Sequence, residues 1–201
     1  MIYDITMTIH PQMMVYKNKE EKKVKIKQVN FFEKEGHYES EINFNLHTGT
    51  HIDYPLHMIK NGDNSSKEDL KALIGTAKVF DLVHVNDKIT YEDIKNLSIA
   101  KDDFVIFKTK NSFDKEFNNN FIFVEESAAS YLVKKQVRGV GIDALGIERN
   151  QVGWENLSQK LVTQMVTRET LKCLKVRKIG SLKWWPQGDS NPYGQNENLE
   201  S

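Results

Sequence analysis

Three of the six histidines in this 201-residue chain fall within eleven residues. The segment reads His47-Thr48-Gly49-Thr50-His51-Ile52-Asp53-Tyr54-Pro55-Leu56-His57. Positions 47, 51, 53 and 57 are all odd, so in an extended chain their side chains leave one face. A helix would align 47 with 51 but turn 53 away, and Pro55 would interrupt it. An extended or gently kinked strand therefore presents three imidazoles and one carboxylate together. That donor set suits zinc, with nitrogen and oxygen ligands at about 2.0–2.2 Å, and Mn²⁺ or Fe²⁺ accept the same ligand types. Gly49 lets the backbone bend or approach the site closely. Thr48 and Thr50 can hydrogen-bond to the ligands and orient them. A divalent ion held there lowers the pKa of water to about 7 and stabilises charge on a carbonyl oxygen, which is the chemistry of amide hydrolysis. His57, four residues beyond Asp53 on the same face, suits proton transfer or a fourth ligand position. The plainer alternative is a set of strand-end histidines beside a turn; three histidines and an aspartate in phase favour the metal.

The rest of the composition narrows the field. Lys+Arg and Asp+Glu both number 28, so the formal charge is zero and offers no footprint for nucleic acid or an anionic membrane. No apolar run approaches the roughly 20 residues of a membrane span, and Met1 to Met14 lack the pattern of a signal peptide. The single cysteine, Cys173, excludes an intramolecular disulfide framework and a cysteine-rich metal site, and fits a reducing cytoplasm. His10, before Pro11, is a further residue that could face the site; His37 and His84 read as structural or surface residues. Asp143 reads equally as support for the site or as a turn former. There is no nucleophile elbow and no phosphate-cradling glycine loop.

Strands must position these side chains. Ile42 to Leu46 alternates, with Ile42, Phe44 and Leu46 on one side and Glu41, Asn43 and Asn45 on the other, which predicts a strand with one face on a core. Ile2–Ile9, Val24–Val29, Ala77–Val83 and Val137–Ile142 are further expected strands, and Phe104–Phe107 and Phe121–Val124 are short apolar runs suited to buried ones. Gln12–Lys25 reads as a lysine-rich loop. Thr90 precedes a short acidic helix start, and Glu125–Lys135 predicts a helix with Ala128, Ala129, Tyr131 and Leu132 inward. In the tail, Asn156–Ile179 predicts one or two helices with an imperfect stripe, followed by loop or disorder from Gly180.

The pattern H-x-G-T-H-x-D-x-P-x-H, filled here by His47, Gly49, Thr50, His51, Asp53, Pro55 and His57, resembles the signature of the cyclase-like metal-dependent hydrolases. These include bacterial-type kynurenine formamidases (arylformamidases) and isatin hydrolases. Tyr3-Asp4-Ile5-Thr6 and Gly141-Ile142-Asp143 resemble other family strands, and the likeness covers residues 1–150. It implies an α/β fold whose mixed, strand-rich core is of the swivelling β/β/α kind, with an atypical tail over 151–201. It implies that His47, His51 and Asp53 hold one or two zinc or manganese ions, with Asp53 bridging where there are two. It further implies that His57 is the acid/base residue and that Tyr16 lies against the substrate. The expected reaction is cleavage of N-formyl-kynurenine to kynurenine and formate, with a cyclic amide such as isatin as the sister possibility, in a homodimer or tetramer. The chain departs from the family after Asn150. The family's later metal-binding His and Glu have no clear counterpart, since no histidine follows His84 and neither Glu155 nor Glu169 stands in a matching context. Three readings follow: a diverged one-metal site, completion by a partner chain, or a tail read out of frame. A non-catalytic metal-binding relative is the reading from a different functional class.

Overall fold

A computed structural model of the chain describes residues 4–67, 69–149 and 172–175. Its centre is the apolar run expected to be buried. Strand β6 (Phe104–Lys108) has Phe104 to Phe107 all buried, as a strand covered on both faces requires. It pairs in parallel with β4 (Ala77–Asp81) on one side and with β8 (Gly139–Ile142) on the other. Strand β9 (Lys172–Lys175) runs parallel to β8, and β3 (His51–Asp53) closes the sheet antiparallel to β9. The order is β3-β9-β8-β6-β4. The fold is mixed α/β, as expected.

The crossovers supply the core. Between β4 and β6 run β5 (Lys88–Ile89) and helix α2 (Tyr91–Ile94); between β6 and β8 run β7 (Phe123–Val124) and helix α3 (Glu126–Lys134). β5 and β7 pair with each other in parallel. Asp93 accepts from both the amide and the hydroxyl of Thr90, the capping that starts α2. Glu125 accepts from the Ser127 amide at 3.0 Å and starts α3. The expected inner stripe of α3 is inward: Ala128, Ala129 and Leu132 are buried, with Tyr131 packed at the margin. They meet Val105 and Phe107 of β6 and Val140 and Ile142 of β8 in one core.

Several expectations are corrected. Residues 4–10 form no strand; they are held instead by contacts such as the Met7 amide donating to Thr50 Oγ1 at 2.9 Å. Phe121 and Ile122 are buried but precede β7, because the Ile122 backbone is satisfied by the Asn111 side chain. Lys172–Lys175, expected in a helix, is a strand, because between β3 and β8 its backbone completes two ladders, and that tertiary demand overrides a weak helical stripe. The other tail expectations lie outside the described residues.

The alternating segment departs furthest. Strands β1 (Lys25–Asn30) and β2 (Glu39–Asn43) form an antiparallel arm around a short helix α1 (Phe32–Glu35). The arm's strands pack chiefly on each other. The face expected on a core is exposed, with Ile42 at 52% and Leu46 at 83%. Among the described residues no helix is long and apolar enough to cross a membrane.

Candidate metal centre

The ligand segment is not one extended strand. Only His51–Asp53 is strand, and residues 46–50 turn. Gly49 sits at φ +64°, a left-handed conformation that glycine reaches without steric cost. The turn begins with Asn45, whose Oδ1 accepts from the His47 amide at 2.9 Å, an Asx turn. Beyond Asp53, Pro55 opens a 3-10 turn over Pro55–His57, as proline's fixed φ allows. The in-phase argument therefore fails in geometry, and it is a bend at Gly49 that brings His47, His51 and Asp53 together.

The donors converge. His47 Nδ1 lies 2.8 Å from Asp53 Oδ1, His51 Nε2 lies 3.4 Å from that same oxygen, and the two nitrogens are 3.3 Å apart. A tetrahedral ion with bonds of about 2.0–2.1 Å sets its ligand atoms about 3.3–3.4 Å apart. Two of the three separations match, and the third has the length of a charge-assisted contact between nitrogen and carboxylate. The donor set of two imidazoles and one carboxylate thus fits a borderline divalent cation. These three residues form a cluster able to hold a metal ion. The other ring nitrogen of His51, Nδ1, lies 2.9 Å from the Gly49 carbonyl. With Nδ1–H donating there, the Nε2 lone pair faces the cluster. The side chains of His51 and Asp53 are 10% and 11% exposed, that of His47 38%, so the site opens on the His47 side.

His57 stands beside this set. Its ring centroid is 4.1 Å from that of His47, and the residue is exposed. Tyr16 is placed edge-on to Phe117, centroids 5.0 Å apart, with Lys22 Nζ 5.0 Å over its ring. His10 is exposed, with Nδ1 3.4 Å from Gln12 Oε1, and His37 contacts Asn30 in the arm. Asp143 is fully buried and accepts from the amides and hydroxyls of Thr109 and Ser112. It locks the loop after β6 to the end of β8. Sheet register brings this region near the ligands: His51 is opposite Lys175, which is opposite Ile142, so His51 lies at the carboxyl end of the parallel strands, where open α/β sheets place ligands. Sequence reasoning missed the Gly49 carbonyl and the Met7–Thr50 bond; Asn45, two residues before His47, was a readable turn signal.

The sequence model of the Cyclase family matches residues 3–149. This chain belongs to the cyclase family. Within that family it resembles a solved structure described as a potential metal-dependent hydrolase with cyclase activity. The two are 46% identical, the match covers 90% of this chain and 83% of the other, and the TM-score is 0.75. It is 32% identical over 143 residues to cyclase-like protein 2 of Arabidopsis thaliana, covering 66% of this chain and 51% of that protein. It is 29% identical over 109 residues to the kynurenine formamidase of Salinibacter ruber, covering 53% and 51%. The chain spans about half the length of these curated relatives. Isatin hydrolase A of Labrenzia aggregata, at 20% identity, 88% and 80% coverage and a TM-score of 0.72, shares the fold.

Proposed function

We propose that this cyclase-family chain is a metal-dependent hydrolase of a C–N amide bond, acting as an arylformamidase that cleaves N-formyl-kynurenine to kynurenine and formate. The observation that carries the reading is the convergence of His47 Nδ1, His51 Nε2 and Asp53 Oδ1, all within 3.4 Å of one another. The similarity to a solved structure described as a potential metal-dependent hydrolase and to kynurenine formamidases supports it. A zinc or manganese ion, one or two per site, would supply acidified water and polarise the carbonyl when bound. The chain's own residues do the rest. His47, His51 and Asp53 hold the ion, and the Gly49 carbonyl keeps His51 in the ligating tautomer. His57 takes a proton from the attacking water at an imidazole nitrogen and returns it to the leaving amine. The C–N bond breaks, the water oxygen enters formate, and the amine leaves protonated to neutrality. Tyr16, with Phe117 behind it, offers an aromatic surface to the aryl group. The lone cysteine supports a cytoplasmic setting.

The test is metal analysis of the full chain with turnover of N-formyl-kynurenine, isatin in parallel. Bound metal with formamide turnover is expected, and His57→Ala should lower kcat by about 10²–10⁴-fold with metal content retained. Turnover of isatin alone would move the substrate to cyclic amides. Bound metal without turnover of any amide would make the chain a non-catalytic metal-binding relative.

A further inference from the structure

His57 is carried by the turn that follows the ligand strand, and backbone hydrogen bonds close that turn. The His57 amide donates to the Tyr54 carbonyl at 2.9 Å, and the Met58 and Ile59 amides both donate to the Pro55 carbonyl, at 3.1 and 2.8 Å. The chain then doubles back. The Gly62 amide donates to the Ile59 carbonyl at 3.0 Å, and the Leu56 amide donates to the Asp63 carbonyl at 3.0 Å. Asn61 takes a left-handed φ of +63° at the return. Gly62 sits where this loop touches itself. A Cβ there would stand 2.7 Å from the Pro55 carbonyl carbon, 2.8 Å from the Leu56 nitrogen and 2.9 Å from Pro55 Cβ. Non-bonded carbons rest about 3.5–4.0 Å apart. The atoms met are peptide backbone and a proline ring, which have no rotamer to change. Any larger residue at position 62 must therefore push the two segments apart.

We infer that Gly62 is a positioning residue for His57. The missing side chain at position 62 sets where the imidazole stands, its ring centroid 4.1 Å from that of His47 and beside the donors of His47, His51 and Asp53. What yields to a larger residue follows from what holds each side of the contact. Asp53, two residues before Pro55, is fixed by backbone pairing to β9. His57, two residues after Pro55, is exposed in a 3-10 turn. The displacement therefore falls on His57 and spares the metal ligands. This role rests on the hydrolase reading, in which His57 moves the proton. Proton transfer needs hydrogen-bond reach, and a misplacement of about 1 Å can cost about 10²-fold in rate.

The test is Gly62→Ala in the full chain, with two readouts. In NMR spectra, assigned with His47→Gln and His57→Gln variants, the imidazole protons of His57 should shift, because its ring leaves its place beside His47, while those of His37 in the arm stay. With N-formyl-kynurenine, kcat should fall about 10–100-fold, with KM and zinc content unchanged. A merely structural role would lower zinc content and kcat in step and leave the folded, metal-loaded fraction at the wild-type rate. That result would overturn the inference, as would unmoved His57 resonances or a wild-type kcat in the folded variant. If the unaltered chain cleaves no amide, the hydrolase reading fails, and the resonances still decide whether Gly62 places His57. Should Gly62→Ala fail to fold, hydrogen exchange of the unaltered chain decides: the Leu56 and Ile59 amides should exchange at least about tenfold slower than an unfolded peptide. Exchange at the unfolded rate would show that the loop does not hold His57.

Discussion

At the scale of single residues, the ligand turn is held by a few specific bonds, and each makes a prediction. Asp53 Oδ1 is the atom both histidines approach. Asp53→Asn replaces a charged donor with a neutral amide, so zinc affinity should fall at least about 100-fold, measured by competition with a chelating indicator. Wild-type affinity in that variant would remove Asp53 from the site. Gly49 is constrained by conformation and not by space: an added Cβ would meet Ile9 Cγ1 at 3.4 Å, an ordinary contact, but at φ +64°. Gly49→Ala should therefore cost about 1–2 kcal/mol, which is about 2–8 °C in Tm for a chain of this size. It should also weaken metal binding, since the same residue's carbonyl orients His51. The clustering of His47, His51 and Asp53 was legible in the sequence because their spacing is short enough for local chain to gather them. Gly49 marked a possible bend, but which conformation it takes was not legible, because a glycine permits many and only contacts such as Met7–Thr50 select one.

At the scale of elements, the parallel strands are tied at their starts by Asp103. Its carboxylate is 2.7 Å from Lys78 Nζ of β4 and accepts from the Ala100 amide at 2.8 Å, just before β6. The Lys78 ammonium, chiefly, and the Ala100 amide hold the Asp103 carboxyl below the usual carboxylate range, against the opposing effect of burial. A lowered folded value means that the contribution is present above the unfolded carboxyl's pKa of about 4 and is lost as pH falls through the lower folded value. Asp103→Asn should destabilise by about 1–2 kcal/mol at pH 7. Thermal melts should show the gap between variant and wild type closing as pH drops below about 4; a gap constant down to pH 2 would show that charge is not its cause. Elements were read well wherever residue type alone requires burial. The helix at Glu126–Lys134 and the strands at Phe104–Lys108 and Gly139–Ile142 follow from apolar runs and a stripe whose burial within one core their residue types already require. In the arm the strand expected over Val24–Val29 is present, but of the alternating Ile42–Leu46 only Ile42 and Asn43 are strand and Leu46 turns. Its apolar face is exposed, since periodicity reports that a face is apolar and says nothing of which surface covers it.

At the scale of the molecule, β3 carries two of the candidate ligands and, among the described residues, joins the sheet through β9 alone. The candidate metal site is thereby joined by backbone pairing to a strand more than a hundred residues away in sequence. A chain ended after Leu171 should keep the core around Phe107, Val140 and Leu132 but lose the sheet partner of His51 and Asp53. Zinc binding should fall at least tenfold while a cooperative thermal transition persists, read by calorimetric titration and circular dichroism. Unchanged zinc affinity would show that the turn alone organises the ligands.

The amino-acid sequence by itself determined the candidate donor set, the buried strand runs, the helix at Glu126–Lys134 and the exclusion of an intramolecular disulfide, because each depends on residue type and short spacing. Only the tertiary structure decided how the segment bends at Gly49, that Lys172–Lys175 is a strand beside it, and that the arm's apolar face is left uncovered by the described chain. Those outcomes depend on which distant backbone groups must be paired and which surfaces happen to meet, and local sequence carries no record of either.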